Sequence, residues 1–128
     1  MNKLFAAVSI VFMLISSCAI SQIKNDIEIA EFKKKMASER YTLIDVRTAE
    51  EFAEGHIKGA LNIDYFGATF SDEISKVSSE KPVLVYCRSG NRSGKAMQIM
   101  YDLEFKKVYN LRGGIKGWKA ENNKLTTE

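Results

Sequence analysis

Residues Pro82–Cys87 read PVLVYC: the chain's only proline, four strand-forming residues in a row, then a cysteine. A strand with one face in water alternates apolar and polar side chains. This run does not alternate, and it fits a strand covered on both faces, as in a parallel sheet. Parallel strands need long crossover connections, so helical segments are expected on either side of it.

The flanking sequence supplies them. Asn25 or Asp26 is placed to cap a helix whose apolar residues Ile29, Phe32 and Met36 recur at helical spacing. YTLIDVR follows as a strand through Leu43, Ile44 and Val46. TAEEF reads as a capping box, Thr48 as N-cap and Glu51 three residues on, closed by Gly55. GALNIDY is a second short strand, and FSDEISKV a brief helix capped by Ser71. From Ser93 onward, Ala96, Ile99, Met100 and Leu103 share one helical face. KKVYNL is a further strand, and Gly113-Gly114 opens a last helix holding Trp118. The pattern predicts one α/β domain: a mostly parallel central sheet flanked by helices. Ligands in such folds bind at the carboxyl ends of the strands, where Cys87 stands.

With 128 residues there is room for one such domain, and 45% hydrophobic with 27% charged residues is ordinary for a globular chain. A formal charge of +3, with acids and bases interleaved, is too small to argue for a nucleic-acid partner. No internal repeat or low-complexity tract interrupts the pattern.

The first residues depart from it. Lys3 precedes the uncharged run Leu4–Ile15, about 18 Å of helix against a hydrocarbon core of about 30 Å. A basic start, a short apolar stretch and small residues are the plan of a secretory signal peptide, here residues 1–17. ISSC, Ile15 to Cys18, resembles the bacterial lipobox, whose cysteine is acylated and becomes the first residue; cleavage after Ala19 is the competing route. Residues 18–25 then form a tether and residues 26–128 the folded domain. The expectation is export to the cell envelope or periplasm with Cys18 as the lipid attachment point. Several acyl chains, at about 0.8 kcal/mol per buried methylene, give a firm membrane anchor. Ala19, which is not acidic, favours an outer membrane where there is one. Either route leaves Cys87 as a single thiol in a disulfide-permissive compartment, inert or kept for chemistry.

Residues 87–93, CRSGNRS, connect the buried strand to the next helix. The first turn of a helix carries unpaired N–H groups and a partial positive charge. Gly90 and Asn91 tolerate positive φ and let successive N–H groups turn inward as an anion-binding nest. A sulfur at its centre is favoured as thiolate by those dipoles and by Arg88 and Arg92, with a depressed pKa. That is a nucleophile activated by environment, without a histidine base. A packing cysteine needs none of these neighbours.

LIDVRTAEEFAEGHIKGALNI (43–63), VLVYCRSGNRS (83–93) and LRGGIKGW (111–118) together resemble the three recurring blocks of the rhodanese family, in order and in spacing. The resemblance covers nearly everything after the tether. It implies the rhodanese-like fold and a sulfurtransferase activity, with Cys87 as the nucleophile that accepts a sulfane sulfur as a persulfide. It implies that residues Arg88, Ser89, Gly90, Asn91, Arg92 and Ser93 form the surrounding loop, with both arginines steering an anionic donor such as thiosulfate. Asp45 and Arg47 match the DVR block, which supports that loop. No metal or other cofactor is implied. The acceptor is a thiol, cyanide or a protein cysteine. Lys58 stands where the family has proline, in a turn. His56, the only histidine, is structural in the family, hydrogen-bonding backbone near a bend, and Trp118 is read as a packing residue.

Two other readings use the same loop. Cysteine-dependent phosphatases and some arsenate reductases also hold a thiolate in a nest, but those phosphatases space the cysteine and arginine by five residues. Here four residues separate Cys87 from Arg92, a smaller ring that suits one added sulfur atom. A persulfide carrier or redox-sensing partner, acting without turnover, needs the same residues and differs only in kinetics.

Overall fold

The computed structural model describes residues 25–38 and 40–128. Residues 1–24, on which the expected signal segment 1–17, the lipobox reading of Cys18 and most of the expected tether fall, lie outside the described residues. Ten elements follow in order: β1 Asp26–Ile27, α1 Ile29–Ser38, β2 Thr42–Asp45, α2 Ala49–Glu54, β3 Leu61–Asn62, α3 Phe70–Ser75, β4 Val83–Tyr86, α4 Asn91–Asp102, β5 Val108–Leu111 and α5 Gly114–Ala120. The five strands form one sheet in the order β1-β5-β4-β2-β3. Every pairing is parallel, so the sheet is wholly rather than mostly parallel.

β4 is the middle strand, and all four of its residues are buried. Its alternate side chains feed two cores. Val83, Val85 and Cys87 pack with Ile44, Val46, Phe70, Ile74, Ala96 and Met100 on the face covered by α3 and α4. Leu84 and Tyr86 pack with Ile29, Phe32, Leu43, Leu111, Ile115 and Trp118 on the face covered by α1 and α5. That is the physical reason for the unbroken apolar run: neither side of the strand meets water.

The order of strands also locates the site. The chain leaves β2 toward β3 at one edge of the sheet, then crosses back to β4, from which it proceeds to β5 on the other side. The connections after β2 and β4 therefore diverge, and their carboxyl ends, Asp45 opposite Tyr86, border a crevice of the kind where α/β sheets bind ligands.

Several local expectations are corrected. Asn25 and Asp26 do not cap α1. Asp26 starts β1, pairing with Asn110, because the edge of β5 offers the backbone a partner there. α3 has Thr69 at its N-cap, and Ser71 lies inside the helix. α4 begins at Asn91 rather than Ser93, behind Gly90 in the left-handed region. Leu103 falls past the last turn and is exposed, although Ala96 and Met100 on the same expected face are fully buried. The capping box at Thr48 and Glu51 and the Gly55 cap form as expected. In the turn Ile57–Ala60, closed by the Ala60 N–H on the Ile57 carbonyl at 3.1 Å, Lys58 is exposed and Gly59 takes φ +89°. This is a turn position where proline and lysine are both accommodated. Among the described residues no helix is long and apolar enough to cross a membrane.

Candidate active site

Cys87 directly follows β4 and is 1% exposed. Three residues later the chain has turned into α4. Gly90 makes the turn at φ +105°, a conformation that strains any side chain. The result folds the loop back over the sulfur: the Gly90 N–H donates to Cys87 Sγ at 3.1 Å and the Ser93 hydroxyl donates at 3.2 Å. Burial alone pushes the thiol pKa up. The Ser93 hydroxyl and the N–H groups of Ser93, Gly90 and Ser89 outweigh it, and the Cys87 pKa is lowered from the usual 9.0. The expected direction is present and the expected backbone N–H groups contribute to it; the Ser93 hydroxyl is the unforeseen and largest lowering cause, and the arginines are not among the principal ones. Ser93 donates to the sulfur from the first turn of α4.

The loop is held from behind by α5. The N–H groups of Ile115 and Lys116 donate to the carbonyls of Cys87 and Arg88 at 2.9 and 3.0 Å. Gly114 makes this approach possible, since a Cβ there would run into both carbonyls. Trp118, in the same helix, packs edge-on to Phe32 and donates its indole N–H to the Lys124 carbonyl at 3.0 Å, a packing role.

From the front, Arg92 of α4 reaches Glu51 of α2 with two bonds, 2.7 and 3.0 Å. Arg92 draws the Glu51 carboxyl down to about 2 from an ordinary 4.5, against the opposing effect of burial and with help from the Thr48 N–H. The guanidinium also lies 5.7 Å from the ring centroid of Phe66, which is 69% exposed. So Arg92 closes the loop, but its charge is already matched. Glu51, legible in the sequence as a cap, has this second role that no local signal discloses.

Asp45 and Arg47 lie beneath, at the end of β2. The Arg47 guanidinium binds both Asp45 carboxylate oxygens at 2.7 to 3.0 Å and donates to the Gly55 carbonyl at 2.7 Å. Asn62 ties the carbonyls of Asp45 and Arg47 to β3, at 3.1 and 2.8 Å. The guanidinium carbon is 5.8 Å from the centroid of Tyr86, the residue before Cys87. The Tyr86 hydroxyl accepts the Ile57 N–H at 3.0 Å, and burial raises its pKa.

Arg88, Ser89 and Asn91 are exposed at the rim. Arg88 lines a polar cleft of about 370 Å³ with Arg47, Glu51, Glu54, Ile115 and Lys119. His56 is 2% exposed, stacked on Phe52 at 3.6 Å, with its ring nitrogens 2.9 Å from the main-chain oxygens of Phe52 and Glu128. It serves structure, as expected. No cluster of His, Cys, Asp or Glu able to hold a metal occurs among the described residues.

Comparison with known proteins bears on this arrangement. Residues 28–121 match the rhodanese-like domain. The chain is 35% identical over 115 residues to the uncharacterized protein YqhL of Bacillus subtilis (strain 168), covering 90% of this chain and 87% of that protein. It is 39% identical over 80 residues to the thiosulfate sulfurtransferase GlpE of Coxiella burnetii (strain RSA 331 / Henzerling II), covering 62% of this chain and 73% of that one. Among solved structures, a rhodanese-related protein from Thermoplasma volcanium superposes with a TM-score of 0.72 at 26% identity, over 80% of this chain and 98% of that one. A match across most of the domain, carried by relatives of comparable length, places the chain in the rhodanese-like domain family.

Proposed function

We propose that the protein is a sulfurtransferase that carries a sulfane sulfur on Cys87 from a small anionic donor such as thiosulfate to a thiophilic acceptor. The observation that carries this reading is the convergence of the Gly90 N–H and the Ser93 hydroxyl on Cys87 Sγ within a Cys-x4-Arg loop. These donors favour the thiolate before reaction, and the loop's N–H groups are the natural partners of a persulfide after it.

The cycle is a double displacement. The Cys87 thiolate attacks the outer sulfur of thiosulfate. A new S–S bond forms to Cys87, and the old one breaks with its electron pair leaving on sulfite. The negative charge now sits on the terminal persulfide sulfur. An acceptor nucleophile, cyanide in an assay or a thiol in the cell, attacks that sulfur, and the electron pair of the Cys87–S bond returns to Cys87 as thiolate. Arg88, at the mouth, offers the charge that steers the donor, while Arg92 keeps the loop closed through Glu51. The test is direct: purified protein forms thiocyanate from thiosulfate and cyanide over many turnovers, and Cys87→Ser abolishes it. A single loading that stalls identifies a carrier instead, and no turnover or loading removes the reading.

Export and a lipid anchor on Cys18 belong to the same proposal and are supported by the sequence of residues 1–18. Cys18→Ser is expected to leave signal-cleaved protein free of membranes, and membrane retention of the cleaved form counts against the anchor.

A further inference from the structure

The network around the loop contains a buried amide that neither the sulfur chemistry nor the packing explains. Asn110 lies in β5, 2% exposed, where an apolar side chain would complete the strand's buried surface. Its Nδ2 donates to the Gly90 carbonyl at 3.1 Å and to the Asp26 carboxylate at 2.8 Å. Its Oδ1 is buried with no hydrogen-bond partner. Both neighbours of Nδ2 are oxygen acceptors, so the amide has one orientation: turned over, it would set oxygen against oxygen. A side chain that leaves one buried polar atom unmatched in order to present two N–H groups is retained for those N–H groups.

Resting on the proposed sulfur chemistry, we infer that Asn110 is a positioning residue for it, holding Gly90 in the left-handed turn that aims its N–H at Cys87 Sγ, with Asp26 of β1 orienting Asn110 in turn. Gly90 is the hinge of the cradle, bonded to sulfur through its N–H and to Asn110 through its carbonyl. Without the Asn110 bond, the carbonyl keeps only the Gly94 N–H, at 3.0 Å along α4, and the turn is free to rock about that axis. The Asp26 carboxylate stands at the exposed edge of the sheet. An aspartate at 110 would have the right shape but no donors, and it would face the Asp26 carboxylate.

The experiment measures the pH dependence of Cys87 alkylation by iodoacetamide alongside thiosulfate:cyanide kinetics in the full chain. Asn110→Ala is expected to move the alkylation midpoint to higher pH and to lower kcat/KM about tenfold. Asn110→Asp is expected to do at least as much, although it preserves volume. Asp26→Ala, at an exposed position, is expected to shift both in the same direction, with about a threefold loss of rate. A folded Asn110→Ala protein with the wild-type midpoint and rate overturns the inference, as does recovery of wild-type values by Asn110→Asp. Where Asn110→Ala does not fold, Asp26→Ala decides, and wild-type values for it overturn the inference too. If the wild type makes no thiocyanate while the alkylation midpoints still shift, the sulfur-transfer reading fails and the positioning role stands.

Discussion

Two ion pairs border the Cys87 loop. Asp45 and Arg47 are two residues apart in the chain, and their side chains are 0% and 7% exposed. Glu51 and Arg92 are 41 residues apart and 29% and 16% exposed. The first pair shapes the end of one strand and the bend that follows it, through Gly55 and Asn62. The second joins two helices across the mouth of the site. A buried pair is expensive to break, because the surviving charge is stranded away from water. A partly exposed pair contributes little net stability, because water replaces the lost partner. The difference separates what holds the fold under the loop from what holds the loop itself.

Substitutions at the two pairs test that separation. Removing Arg47 leaves the Asp45 carboxylate buried without its main partner. Arg47→Ala is expected to destabilise the protein by about 3–5 kcal/mol in urea unfolding. In molecules that remain folded, Cys87 should alkylate with its original pH midpoint, since the sulfur's donors are elsewhere. A loss below about 1 kcal/mol would make the two pairs alike and break the comparison.

Glu51→Gln keeps the shape and the capping of Thr48 but removes the charge opposite Arg92. It is expected to change stability by no more than about 1 kcal/mol and to slow sulfur transfer about fivefold. A large loss of stability without a change in rate would reverse the assignment.

Acid supplies the smallest effect. The Glu51 carboxyl is depressed in the folded protein, from 4.5 to about 2. Its stabilising contribution is therefore full above pH 4.5 and is lost as pH falls toward about 2. The stability gap between wild type and Glu51→Gln should close across that window, and a gap that persists below it excludes the ionic origin.

What could be read in advance follows the same division. β4, the capping box and the Gly55 stop are written in neighbouring residues, and they form as read. Asp45 and Arg47 are also near neighbours in the chain, but the sequence offers them only through the family resemblance, as support for the loop, and their ion pair is a finding of the structure. Glu51–Arg92 and Asn110–Gly90 depend on which strands become neighbours, and no periodicity carries that. Asp26 shows the limit most clearly: an N-cap by local chemistry, it joined a strand because β5 offered a backbone edge. Ser93 was legible as a loop residue and illegible as a sulfur donor, since the helix began two residues earlier than its pattern.

The Cys87 loop is proposed to hold a sulfur atom for transfer. Intact mass spectrometry after incubation with thiosulfate, followed by peptide mapping under thiol trapping, addresses this most directly. Cys87 is expected to gain the mass of one sulfur atom and to lose it on addition of cyanide, with thiocyanate released in equal amount. A Cys87 that alkylates readily yet never gains sulfur from thiosulfate would contradict the proposal.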